Sequence, residues 1–245
     1  MTAPATPPRR QRASVPYWNT VLILIPLVAI FTFVLGAASL VASVLDRSGR
    51  MSHACARIWS GLILFVSRTR VTVGGAPPPR GTCVYAANHQ SIYDIPILFW
   101  SIRRQIRIIA KASLGRIPFL GWHLRLAGHL LVDRENPGPG ILKRMRRLVA
   151  DHASLIVFPE GTRSYDGKVA RFKGGVFLLA IEHQLPIVPV SVKHSRHIML
   201  RGSVTVRPGS VIVTVHPAVS TVGMTRANAR ELSERVRAII ENAAE

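Results

Sequence analysis

Residues 17–45 contain no charged side chain, and nearly every position in YWNTVLILIPLVAIFTFVLGAASLVASVL is apolar or small. Such a run must be buried in a core or meet lipid. As a single helix it reaches about 43 Å, more than the roughly 30 Å of a bilayer's hydrocarbon layer. Pro26 and Gly36 offer places to bend or divide it. A signal peptide fits poorly, because the apolar run is too long and continues without a clean processing site. Arg9, Arg10 and Arg12 precede the run, and Arg47, Arg50 and Arg57 follow it. Cations on both flanks set no orientation, so a straight span and a re-entrant hairpin with both ends cytoplasmic both fit. In residues 54–65, Ile58, Trp59, Leu62 and Phe65 recur at helical spacing. That pattern suits a helix lying on the membrane surface or one packed against the body of the protein.

The rest of the chain is strongly basic, with 32 Lys and Arg against 12 Asp and Glu and a formal charge of +20. The excess suits nucleic acid, an anionic membrane or phosphorylated substrates. The sequence shows no zinc-finger spacing or nucleic-acid motif, and the apolar anchor beside a basic body points to anionic lipid. Cys55 and Cys83 are too few for a disulfide scaffold and form no CxxC. No metal-ligating set is expected.

The expected organisation is a flexible basic tail at 1–16, a membrane anchor with an interfacial helix at 17–70, and an α/β domain at 71–245. GGAPPPR at 74–80 reads as a turn or linker. Strand patterns fall at 82–87, 106–110, 129–132, 154–158, 187–191 and 211–215, and helical patterns at 92–102, 140–152, 174–183 and 226–242. Alternation of this kind predicts an α/β fold with a mixed sheet. In the last helix Leu232, Val236, Ile239 and Ile240 form a packing stripe, with Thr225 as its N-cap. The Rossmann and Walker glycine patterns and the GxSxG elbow are absent.

Two segments carry chemistry. The first, Asn88-His89-Gln90-Ser91-Ile92-Tyr93-Asp94, follows the strand pattern TCVYAA. A strand end opening into a helix exposes a side chain on an anchored backbone. His89 can accept a proton near neutral pH, and Asp94 can hold its other ring nitrogen. A plainer reading also stands, since Ser91 and Asp94 have the spacing of a capping box. The second segment, Phe158-Pro159-Glu160-Gly161-Thr162-Arg163-Ser164, follows the apolar SLIVF. Gly161 permits close approach, Thr162 and Ser164 offer hydroxyls, and Arg163 can grip two phosphate oxygens. Glu160 would repel a phosphate, and suits orienting an arginine or holding a substrate hydroxyl. Lys111 and Arg134 can add to the phosphate site. Arg116, Arg125 and the cluster at Lys143–Arg147 are weaker candidates for the phosphate, since contact with solvent or lipid headgroups fits them at least as well.

With these segments the sequence resembles the glycerolipid acyltransferase family, typified by the bacterial 1-acyl-sn-glycerol-3-phosphate acyltransferases. NHQSIYD at 88–94 matches the family's NHxSxxD block, and KASLGRIPFLG at 111–121 with VDR at 132–134 matches the second. FPEGTRS at 158–164 matches the third block and VPV at 188–190 the fourth. The resemblance covers roughly residues 79–217. It implies His89 and Asp94 as catalytic residues, and Lys111, Arg134, Glu160, Gly161, Thr162 and Arg163 around the acceptor. Asn88, Ser91, Pro118, Gly121, Pro159, Ser164 and Pro189 are implied as structural support, Pro189 by shaping the pocket after a strand. The implied reaction carries an acyl group from acyl-coenzyme A or acyl carrier protein, without a cofactor, to the sn-2 hydroxyl of 1-acyl-glycerol 3-phosphate. Glycerol 3-phosphate or another lysolipid, including an aminolipid, are alternative acceptors. A silent anionic-lipid binder is the alternative of a different class. The expected setting is the cytoplasmic (inner) membrane, with the catalytic domain facing the cytoplasm, the lysophospholipid and anionic lipids as partners, and no nucleic acid.

Overall fold

The computed structural model describes residues 15–46, 48–117, 120–132 and 153–244. The uncharged run forms one helix, α1 (Val15–Leu45). Near its start Thr20–Leu24 adopt the wider π turn, and Ile25 N–H donates to Thr20 O. Pro26 follows at once. It has no N–H to give the preceding turn and its ring would crowd a carbonyl there, so the wider turn lets the helix continue through it.

A tight turn ends α1. The Asp46 carboxylate accepts from the N–H groups of Ser48 and Met51 at 2.9 and 3.0 Å. Gly49 adopts φ +70°, and a Cβ there would collide with the Arg107 guanidinium. The second helix, α2 (Arg50–Val66), then folds back along α1. The hairpin is joined by Trp59 Nε1 donating to Thr32 Oγ1 at 3.0 Å and by the Ser43 and Ser52 hydroxyls, 2.8 Å apart. Small side chains at this crossing let the backbones approach. The inward side of α2 carries His53, Ala56, Ser60, Ile63 and Leu64, whereas Ile58 and Phe65 are 54% and 81% exposed. One face of α2 therefore packs on the protein; of the apolar stripe read in the sequence, Ile58 and Phe65 stay outside while Trp59 turns in against α1.

The remaining elements are β1 (Thr69–Gly75), β2 (Val84–Ala87), α3 (Asp94–Ser101), β3 (Ile106–Lys111), a 3-10 turn (Ala112–Arg116), α4 (Leu120–Leu126) and β4 (Leu130–Val132). They continue with β5 (Ser154–Val157), α5 (Gly175–Glu182), β6 (Ile187–Lys193), α6 (Ser195–Ile198), β7 (Gly209–Val215) and α7 (Ala229–Ala244). The strands form a sheet in the order β1-β7-β6-β2-β5-β3-β4. All neighbours are parallel except β6 and β7, so the sheet is mixed, as expected. Helices cover both faces. Tyr85, Ile156 and Val190 pack beneath α2 and α3, while Val84, Leu155 and Ile187 pack beneath α5 and α7 with Leu232, Val236 and Ile240. Thr225 and Asn228 form the capping box that opens the C-terminal helical segment.

The sequence patterns missed β1. It is an edge strand paired only with β7, mostly half-exposed or exposed, and its Gly74 and Gly75 belong to the stretch read as a linker. A strand with so little buried surface leaves a weak pattern. The helix expected at 140–152 lies outside the described residues.

Candidate active site

The parallel strands β2, β5 and β3 are neighbours in the sheet, and their carboxyl ends open on one side of it. In open α/β sheets that is where ligands bind. Asn88 follows β2 and is fully buried. Its Nδ2 donates to Val192 O at 2.9 Å, and Val192 N–H donates to its Oδ1 at 2.7 Å. This two-bond clasp to β6 fixes the chain just before His89.

The chain then turns sharply, and Asp94 at the start of α3 reaches back. Its Oδ2 accepts from His89 Nδ1 at 2.8 Å and from the N–H groups of Gln90 and Ser91 at 2.7 and 2.9 Å. The relay and capping readings of Asp94 are thus both realised by one oxygen. A carboxylate already receiving two N–H donors holds the imidazole as the Nδ1–H tautomer, which leaves Nε2 as the acceptor. Nε2 has no protein partner among the described residues and is not sealed from the surface. The Phe158 ring stacks on the imidazole, with centroids 4.0 Å apart and planes at 17°. Ser91 Oγ donates to Met199 O at 2.8 Å, tying the turn to the far side of the crevice.

Glu160, expected beside the acceptor, is held against the backbone. One carboxylate oxygen accepts from His89 N–H at 2.7 Å and the other from Ala170 N–H at 3.0 Å. The residue is only 5% exposed, and both of its carboxylate oxygens orient backbone N–H groups. Burial pushes its pKa up to about 7, against the two bonds it accepts. The same loop returns to the histidine through Ser164 N–H, which donates to His89 O at 2.8 Å. The Ser164 hydroxyl donates to Asp166 at 3.0 Å and accepts from Gly167 N–H at 2.9 Å, closing the turn.

Between Glu160 and Ser164 the chain presents its cation. Gly161 has φ +74°, and a Cβ there would lie 2.9 Å from Lys173 Cε, so the lysine stem lies against this turn. Lys173 N–H also donates to Pro159 O at 2.8 Å. Thr162 is exposed and Arg163 half-buried, and Arg163 O accepts from the Arg201 guanidinium. Lys111 is exposed at the end of β3. Gly121 is a packing position, because a Cβ there would strike Gly115 O. Pro189 lies within β6 rather than after a strand, opposite Ala86, and its carbonyl accepts from His216 N–H. Pro118 and Arg134 lie outside the described residues. The sequence reading gave no role to Phe158, Val192 or Arg201, and it read 171–175, which includes Lys173, either as a turn closing one side of the pocket or as the end of a loop before the next helix.

Around the histidine, Arg163 is half-buried on the adjoining loop and Lys111 is exposed at the end of β3, while Asp94 and Glu160 are buried and occupied by N–H groups. A base at Nε2 beside a cationic turn suits removal of a proton from a hydroxyl on an anionic molecule.

The sequence profile of the Acyltransferase family matches residues 70–193, about half the chain. A 1-acyl-sn-glycerol-3-phosphate acyltransferase of Chlamydomonas reinhardtii is 33% identical over 212 residues, covering 84% of this chain and 59% of that protein. One from Saccharomyces cerevisiae is 35% identical over 159 residues, covering 63% of this chain and 52% of that protein. The chain spans about 60% of the length of several such relatives. The crystal structure of the 1-acyl-sn-glycerophosphate acyltransferase of Thermotoga maritima superposes with a TM-score of 0.75 at 25% identity, covering 92% of this chain and 96% of that one. By sequence profile and by fold, this chain belongs to the Acyltransferase family.

Proposed function

We propose that the protein transfers an acyl group from an acyl thioester, acyl-coenzyme A or acyl carrier protein, to the sn-2 hydroxyl of 1-acyl-sn-glycerol 3-phosphate. The observation that carries this reading is the union of two sites in one crevice. His89, held by Asp94, shares backbone hydrogen bonds with the loop that presents Arg163. Relatives named for this reaction support the choice of acceptor.

In the proposed step His89 Nε2 takes the proton of the acceptor hydroxyl as its oxygen attacks the thioester carbonyl. The tetrahedral intermediate collapses by breaking the carbon–sulfur bond, and the imidazolium returns its proton to the thiolate. Asp94 stabilises the imidazolium while it lasts. Arg163 and Lys111 hold the phosphate, turning a loose encounter into an aligned one. An apolar cavity of about 280 Å³ lies between the hairpin and the sheet, walled by Leu35, Trp59, Ile95, Phe99, Ile108 and Leu124. It offers space for part of an acyl chain.

The same reading places the protein on a membrane, supported by α1, 6% of whose most apolar window is buried. Thr20 Oγ1 accepts from Val206 N–H at 2.9 Å, and the middle of α1 borders α4, so this helix lies along the domain. Docking of that kind favours insertion from one face over a free-standing span.

The test is a purified full chain given 1-acyl-glycerol 3-phosphate or the matching monoacylglycerol with each donor, the product being identified by mass. Phosphatidic acid should form with strong preference for the phosphorylated acceptor, and Arg163→Ala should narrow that preference. Equal proportional losses on both acceptors would remove the phosphate role from Arg163.

A further inference from the structure

The catalytic domain also exposes apolar side chains on α4 and just before it. Ile117, Trp122 and Leu126 are 47%, 51% and 57% exposed. Trp122 and Leu126 are four residues apart and share a face of α4, and Arg125 borders it. Arg116 is exposed beside Ile117. Residues 95–132 contain six Lys and Arg and no carboxylate.

This surface adjoins the anchor. α4 packs against α1, and its His123 and Leu124 line the apolar cavity together with Thr32, Leu35 and Gly36 of α1. On its other side the same stretch of α1 presents Ile30, Phe33 and Val34, which are 55%, 54% and 55% exposed.

We propose that Ile117, Trp122 and Leu126, bordered by Arg116 and Arg125, form a second membrane contact that enters the headgroup layer of the leaflet receiving α1. This rests on the reading of α1 as a membrane element. Half-exposed aromatic and aliphatic side chains favour the interface, and arginine beside them meets lipid phosphate. A stretch whose own charges are all positive suits an anionic leaflet better than a protein surface of mixed charge. One inserted helix leaves the domain free to roll about that helix, whereas a contact displaced from its axis fixes the roll. This contact leaves the sheet a few residues after Lys111, so fixing it holds the carboxyl ends of β2, β5 and β3 at headgroup level.

The experiment uses the full chain with Cys55→Ala. Cys83 is 0% exposed and can remain. A polarity-sensitive fluorophore is attached at Phe33→Cys on α1, at Leu126→Cys on α4, or at Val222→Cys. Val222 is 77% exposed and lies near α5 on the opposite face of the sheet. Each is mixed with phosphatidylcholine vesicles, with and without phosphatidylglycerol, carrying a headgroup-proximal nitroxide quencher. Probes at 33 and 126 should shift to the blue and be quenched, and the probe at 222 should not. Changing Arg116 and Arg125 to Gln should weaken the phosphatidylglycerol-dependent part of the signal at 126, by about fivefold per cation. Quenching at 33 with a water-like probe at 126 would overturn the second contact while leaving the anchor intact. If 33 also stayed water-like, the anchor reading would fall with it. Protection of 126 without vesicles, in a protein that sediments as a dimer, would assign the patch to a second copy and overturn the proposal.

Discussion

Glu160 and His89 are joined through the backbone: the histidine N–H donates to Glu160 Oε1 at 2.7 Å, and the other carboxylate oxygen holds Ala170 N–H at 3.0 Å. A glutamine can satisfy only one of these donors, since its amide nitrogen would face the other. Glu160→Gln should therefore lower kcat about tenfold or more through misplacement of His89. It should leave acceptor KM less affected, because both carboxylate oxygens are engaged by backbone N–H groups. Steady-state kinetics with varied acceptor decide this, and a pure KM effect would return Glu160 to substrate binding. The variant should also change stability with pH. The folded pKa of about 7 lies above the ordinary 4.5, so the native state holds a proton between those values that the unfolded chain releases. Stability from this group is full below 4.5 and lost as pH rises toward 7, a slope the glutamine abolishes.

Replacing His89 by Ala should remove about 10²- to 10⁴-fold of the transfer rate while leaving the fold intact. Asp94→Asn is the sharper variant. Asp94 Oδ2 receives all three bonds, while Oδ1 is buried without a partner among the described residues. An amide can place its oxygen at the first position and its NH2 at the second, keeping the shape and losing only the charge. A rate loss of roughly two orders of magnitude at an unchanged melting temperature is expected. An unchanged chemical step would leave Asp94 with capping alone.

Asn88 bridges positions 104 residues apart in the chain through its two bonds to Val192. Asn88→Ala leaves a buried N–H and a buried C=O unpaired, at about 1–3 kcal/mol each. Its melting temperature should fall by at least about 5 °C, read by calorimetry or circular dichroism. A melt indistinguishable from the parent would mean that water replaces the clasp.

Gly121→Ala pushes a methyl against the Gly115 carbonyl, and backbone cannot yield as a flexible side chain does. Overpacking of this sort costs about 1–3 kcal/mol. Because the strain falls in the segment leading away from Lys111, acceptor KM should rise along with the loss of stability. A fully stable variant with parental KM would show that this segment can shift freely.

Three buried histidines make a separate prediction about acid. Burial holds His53 down to about 4, and holds His123 and His129 below the ordinary range, with Arg107 adding to the effect at His53 and His129. Each is neutral when folded and gains a proton on unfolding, so stability is full above about 6.5 and falls as pH drops below it. Glu160 works in the opposite direction over part of that window, but one carboxyl does not offset three imidazoles. Both ring nitrogens of His53 are buried without a partner among the described residues. His53→Leu should therefore raise the melting temperature at pH 5 and flatten its pH dependence. A variant with the parental slope would move the acid sensitivity to other groups.

The sequence by itself determined what depends on local order. Residues 17–45 lack charge and can be nothing but a buried or lipid-facing helix. The segments NHQSIYD and FPEGTRS each hold their chemistry within seven residues, and most strands and helices announce themselves by periodicity. His89 and Asp94 are five residues apart, close enough for a turn to join them. Only the tertiary structure decided which distant groups meet. Phe158 covers the His89 imidazole, Glu160 grips its backbone and Val192 receives Asn88 because β2 lies between β5 and β6 in the sheet. Pairing of β1 with β7 brings Thr69 opposite Gly209, and this edge strand buries too little to leave a pattern in its own residues. The course of α1 along the domain was equally invisible, since an uncharged helix reads alike whether lipid or a sheet lies beside it. Contacts of this kind are set by strand order and register, which arise from packing over the whole core, and no short stretch of sequence encodes them.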